Sequence, residues 1–156
     1  MNIGIIIHSQ TGSTLNFGNL SASKLRESGH TVEVIELKTD GPVKPRAAQV
    51  VITNMPDCQQ FDALLVGGPV WAFAASPVIL ACIKTLQGIS GKKVLPFVTM
   101  GSPFPFMGGT QAIAQMSSAL TSAGATVLPG TIIPKLFRNA TRLMDTAAAA
   151  IPALFA

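Results

Sequence analysis

The stretch IGIIIHSQTGSTLNFG, Ile3 to Gly18, runs from an apolar segment through a polar loop into a helical pattern. Ile3 to Ile7 shows no polar alternation, as expected of a strand buried on both faces of a parallel sheet. Ser9, Thr11, Ser13 and Thr14 crowd around Gly12, and no Lys or Arg precedes Lys24. From Thr14 to Ser28 the pattern is helical, with Phe17, Gly18, Ser21, Ala22 and Leu25 on one face. A helix start reached through such a loop offers an anion unpaired N–H groups and the positive end of a dipole. The loop lacks the GK[ST] ending and the GxGxxG spacing. Capping the helix needs one hydroxyl, so this crowd of them points to a phosphate, held without a cation.

Working outward, strands and helices alternate. Thr31 to Leu37 reads as an edge-proximal strand, with Val32 and Val34 against Glu33 and Glu36. Pro42 and Pro45 make Gly41 to Met55 hard to read, although QVVITN could add a short strand. Ala63 to Gly68 is the next buried strand, followed by a helix from Pro77 to Leu86 capped by Ser76. Lys92 to Met100 is a strand carrying Pro96, which a central position tolerates only with a bulge. A helix follows over Thr110 to Ala123, with Ile113, Met116 and Leu120 inward, then a strand over Thr126 to Ile133 and a helix over Asn139 to Ala150. The five strands predict a single α/β domain over residues 1–156, its parallel sheet covered by helices on both faces.

The totals narrow the function. Charged residues are 12% of the chain, against the usual ~25%, and apolar residues are 48%, which excludes disorder. The net charge of +4 reflects missing acids, since none occurs between Asp62 and Asp145. The basic residues are scattered, without aromatic interleaving, so nucleic acid is not an expected partner. Cys58 and Cys82 have no metal-ligand spacing and read as reduced thiols. The uncharged run Ala63 to Ile83 is long enough to span a bilayer. Gly67-Gly68-Pro69 and Ser76-Pro77 break it into strand, loop and helix, so no membrane insertion is expected. The amino terminus lacks signal-peptide features, so a cytoplasmic location is expected.

In open parallel sheets, ligands bind beyond the carboxyl ends of the strands, at the point where strand order reverses. Three loops lie there: Ser9 to Thr14, Pro69 to Ala75, and Gly101 to Gly109. The first, SQTGST, resembles the flavodoxin phosphate loop [TS]-x-T-G-x-T. FDALLVGGPVWAFAASP, Phe61 to Pro77, is similar to that family's third strand and flavin loop, and GKKVLPFVTMGSPFPFMGGTQAI, Gly91 to Ile113, to its fourth strand and second flavin loop. The likeness covers nearly the whole chain in the family's order.

This resemblance implies a flavodoxin-like, three-layer, doubly wound fold with five parallel strands in the order 2-1-3-4-5. It also implies non-covalent FMN, with the phosphate at Ser9, Gln10, Thr11, Gly12, Ser13 and Thr14. Pro69, Val70, Trp71, Ala72 and Phe73 would border one side of the ring. Met100, Gly101, Ser102, Phe104 and Phe106, with Gly108 and Gly109, would border the other. Trp71, Phe104 and Phe106 are the candidate stacking faces, since a planar ring wants flat apolar walls and the chain has no Tyr.

The implied function is one-electron transport between protein partners rather than an enzyme with its own small-molecule substrate. The alternative is a small NAD(P)H-dependent flavin or quinone oxidoreductase of the same fold. His8 reads as a hydrogen-bonded packing residue, and no nucleophile–base pair stands out. The uncharged face of the helix over 110–123, with Gln111, Gln115, Ser118 and Ser122, offers a surface for docking or dimerisation.

Overall fold

A computed structural model of the chain describes residues 1–136 and 139–156. In it the chain runs β1 (Asn2–Ile7), α1 (Ser13–Glu27), β2 (Thr31–Glu36), β3 (Ala63–Trp71), β4 (Ala74–Ala75) and α2 (Pro77–Thr85). It continues through β5 (Lys93–Met100), α3 (Gly109–Ser122), β6 (Thr126–Val127), β7 (Thr131–Pro134) and α4 (Ala140–Leu154). The parallel sheet has the order β2-β1-β3-β5-β6, with β7 also on β5. This is the doubly wound 2-1-3-4-5 arrangement, its last position shared by β6 and β7.

The apolar strands divide their side chains between two cores with the two-residue period of a pleated strand. Ile3, Ile5 and Ile7 of β1, Ala63 and Leu65 of β3, and Leu95 and Phe97 of β5 face α1 and α4. Ile6, Leu64, Val66, Val94 and Val98 face α2 and α3. Burial on both faces is why these segments read as continuous apolar runs. Cys58 and Cys82 are free and buried in the second core, where burial pushes their thiols up to about 11 and about 12. They therefore stay protonated at neutral pH.

Five local expectations are corrected. The fifth strand breaks at Leu128–Gly130 instead of running on from Thr126 to Ile133. Pro96 explains the break. Thr126 N–H donates to Lys92 C=O and Leu128 N–H to Val94 C=O, both at 2.9 Å. By the two-residue period Pro96, which has no N–H to give, faces this same edge, where the neighbouring strand is interrupted. No bulge is needed. The segment QVVITN forms no strand, only an isolated bridge between Thr39 and Ile52. The last helix runs past Ala150 to Leu154, with Pro152 inside it. Finally, β3 does not stop at Gly68 but continues to Trp71 and turns back through Ala72 and Phe73 into β4, pairing Trp71 with Ala74.

Candidate functional site

The carboxyl ends of β1, β3 and β5 bring the three loops to one side of the sheet. In the first, Ser13 and Thr14 do not cap α1. Gly12 is the N-cap, left-handed at φ 94°, and provides no capping side chain. Ser9 Oγ takes that role in part, accepting from Gly12 N–H at 3.2 Å and Leu15 N–H at 3.4 Å. Among the described residues no acceptor meets the N–H groups of Gln10, Thr11, Ser13 or Thr14. The loop therefore presents the open donors of a helix start.

Two residues absent from the sequence reading close this loop. Thr14 Oγ1 and Thr99 Oγ1, both buried, share a hydrogen bond of 2.7 Å that latches α1 to the end of β5. Lys135, just beyond β7, donates from Nζ to Ser13 Oγ at 3.0 Å. The expectation of a loop without a cation is thus wrong in space, though the local sequence has none: the fifth strand delivers one. Thr14→Val or Thr99→Val alone strands the remaining buried hydroxyl and is expected to cost about 1–3 kcal/mol. The double variant is expected to lie closer to the parent than the sum of the singles, as chemical denaturation of all four proteins will show.

The second loop is a two-residue hairpin. Ala72 (φ 49°) and Phe73 (φ 63°) both adopt the left-handed conformation that tight hairpins require and that side chains disfavour. Arg46 holds the turn from outside, donating to Ala72 C=O from Nη2 at 2.7 Å and Nε at 3.2 Å. Gln115 of α3 accepts from Ala75 N–H at 2.9 Å. The third loop is pinned by Gln111, whose Oε1 accepts from Gly108 N–H and whose Nε2 donates to Phe106 C=O. Gln111 and Gln115 are therefore not neutral surface decoration on α3; each ties down a loop.

Trp71 is half-buried at the end of β3 and meets the His8 ring edge-on, with centroids 5.0 Å apart. It is not a core tryptophan. His8 Nδ1 lies 2.5 Å from Ser76 Oγ, which also accepts from Ile79 N–H at 3.3 Å. The hydroxyl hydrogen is thereby directed at Nδ1, which leaves the imidazole hydrogen on Nε2. Burial holds His8 down at about 4, so the ring is neutral at neutral pH and the packing reading is correct. Its ordinary pKa when unfolded is ~6.5, so protons favour the unfolded chain. This contribution to stability is complete above that value and is lost as pH falls through the folded value. His8→Asn is expected to flatten the unfolding midpoint over that acid window.

A cleft of about 140 Å³ joins the loops, lined by Gln10, Thr11 and Thr14, by Pro69, Val70 and Trp71, by Met100 and Gly101, and by Thr99 and Lys135. Eight of the sequence-derived residues thus share one cavity. Phe73, Phe104 and Phe106 do not line it: they are 59%, 49% and 69% exposed, and Phe73 faces a separate hollow behind the hairpin. Phe104 and Phe106 stack on each other, centroids 5.5 Å apart. Ala72 is exposed on the hairpin turn, and Ser102 Oγ accepts from Phe104 N–H within the third loop. Gly108 and Gly109 are buried behind that loop, against Val70 and Phe73 and against Met100 and Ile132. A larger hollow of about 500 Å³ lies behind the hairpin, between Arg46 and α2, and no residue of the first or third loop lines it.

No protein-family model and no curated protein matches the sequence. Solved structures do match, over nearly all of this chain. Oxidised flavodoxin 2 from Bacillus cereus superposes with a TM-score of 0.71 at 18% identity, over 99% of this chain and 100% of that one. A Streptococcus pneumoniae flavodoxin gives 0.68 at 17%, over 100% of both. The chain has the flavodoxin fold. A Fusobacterium nucleatum flavodoxin variant bound to flavin mononucleotide gives 0.63 at 15%, over 95% of this chain and 91% of that one. Within the flavodoxin fold the cleft lies where β1 and β3 part their connections to opposite faces, the point at which doubly wound sheets bind ligands. No helix of the described residues is long and apolar enough to cross a membrane.

Proposed function

We propose that the protein binds FMN non-covalently and carries electrons, one at a time, between protein partners. The observation that carries this reading is the single cleft uniting an anion-binding helix start with an aromatic wall. Open N–H groups of Gln10, Thr11, Ser13 and Thr14 fit a terminal phosphate, as do the hydroxyls of Ser9 and Ser13, each with a hydrogen still to donate. The cleft is too small for a whole flavin and suits its phosphate end. The ring belongs at the mouth, against Trp71 and between the hairpin and the third loop, where Phe104 and Phe106 lie exposed and stacked on each other.

When bound, FMN supplies one- and two-electron redox chemistry, and the chain binds and orients it. Pro69 to Phe73 and Met100 to Phe106 shield part of the ring from water, and Gly101 leaves room for close approach. Thr14 and Ser13 act in the phosphate subsite and perform no transfer. His8, neutral and hydrogen-bonded to Ser76, keeps Trp71 in place.

Steady-state oxidation of NADH and NADPH by the FMN-loaded protein, with quinone or ferricyanide as acceptor, tests the carrier reading. A carrier is expected to turn over no faster than free FMN. Saturable turnover well above that level would replace it with the reductase reading.

A further inference from the structure

We propose that Lys135 is a specificity-determining residue of this site, selecting the phosphorylated flavin over the same ring without its phosphate; this rests on the FMN reading above. Lys135 reaches the first loop from 122 positions away, and its Nζ donates to Ser13 Oγ at 3.0 Å. Its backbone is fixed, because Lys135 N–H donates to Met100 C=O and Leu136 N–H to Gly101 C=O, each at 3.0 Å. The side chain lines the same cleft as Gln10, Thr11 and Thr14.

The electrostatics require an explanation. An ammonium beside a helix start sets positive charge against the positive end of a dipole, which is unfavourable unless negative charge lies between them. Among the described residues no carboxylate pairs with Lys135. The first turn of α1 has no acid, and no Asp or Glu occurs between Asp62 and Asp145. Among the described residues the one ion pair, Lys24 with Glu27, involves neither Lys135 nor the loop. A phosphate monoester brings about −1.5 to −2 charges at neutral pH and accepts from both the ammonium and the helix N–H groups. A flavin that ends in a hydroxyl gains nothing from Lys135. The cation is thus aimed at the part of the ligand that separates FMN from riboflavin.

Flavin-fluorescence titrations of the parent, Lys135→Met and Lys135→Arg, each with FMN and with riboflavin, test this. Lys135→Met is expected to weaken FMN by about 10- to 100-fold, the loss of a charge-assisted hydrogen bond. Riboflavin should shift by less than about 3-fold, because it makes no such bond. Lys135→Arg should keep most of the FMN affinity, and added salt should weaken FMN more in the parent than in Lys135→Met. Should the Met variant not fold, Lys135→Gln carries the same comparison. Equal weakening of both flavins, or unchanged FMN binding, would overturn the proposal. If the parent binds neither flavin, the FMN reading fails by itself, and inorganic phosphate becomes the probe. Phosphate raising the melting temperature of the parent but not of Lys135→Met would uphold Lys135 as the anion selector; no rise in either would end that role too.

Discussion

Phe97→Ala is expected to lower folding stability by about 3–5 kcal/mol, read as a fall in the urea midpoint with an unchanged slope. Phe97 is fully buried at the centre of the sheet, where β5 pairs with β3 at Gly67 and with β7 at Thr131. Its ring meets Phe17 of α1 edge-to-face, centroids 5.1 Å apart, and so joins the sheet to the helix that begins at the first loop. The ring also covers Gly67 so closely that a Cβ there would fall inside it. Gly67→Ala alone is therefore an overpacking change, expected to cost about 1–3 kcal/mol. Combined with Phe97→Ala, the added methyl occupies part of the vacated space, and the double variant is expected to lose less than the sum. Strict additivity would contradict direct packing between these two positions.

The second large effect is expected at Gly108. This residue caps α3 at φ 113°, and a Cβ on it would lie 2.7 Å from Val70 Cγ1 and 2.8 Å from Phe73 Cα. One of those neighbours is backbone, so the clash cannot be relieved by a rotamer change. Backbone strain of about 1–3 kcal/mol adds to it. Gly108→Ala is expected to push the third loop away from the hairpin, weakening FMN by about 10-fold for each 1.4 kcal/mol of that strain expressed at the site. Calorimetric melting and an FMN titration on the same sample check both effects. Parent-like affinity would show that the two loops need not meet at Gly108 to form the site.

The fold was legible because its signals are local. Ile3 to Ile7 and Leu64 to Val66 are buried on both faces, so no register argument was needed to place them centrally. Phe17, Gly18, Ser21, Ala22 and Leu25, read as one face of a helix, are all buried in α1, together with Thr14. Ser76 and Pro77 start α2 as capping rules dictate. The hairpin was missed because Ala72 and Phe73 are not turn formers; tertiary contacts from Arg46 and Gln115 hold a conformation that local chemistry does not advertise.

The site was legible only in part, for the same reason. Its loops could be read, but Thr99, Arg46 and Lys135 act across 85, 26 and 122 positions of chain respectively. A signal for Lys135 did exist. Residues 94–134 carry no charged side chain, and Lys135 ends that run at the carboxyl end of the last strand. That is the side on which such sheets bind ligands.

The central claim is that this cleft binds FMN, phosphate inward and ring at Trp71. Titrating the purified protein with FMN while following flavin fluorescence and the visible absorption bands tests it most directly. The account predicts saturable binding of one FMN per chain, with fluorescence quenched by Trp71 and the quenching relieved in Trp71→Leu. A protein that leaves the fluorescence and spectrum of added FMN unchanged at every ratio would contradict it.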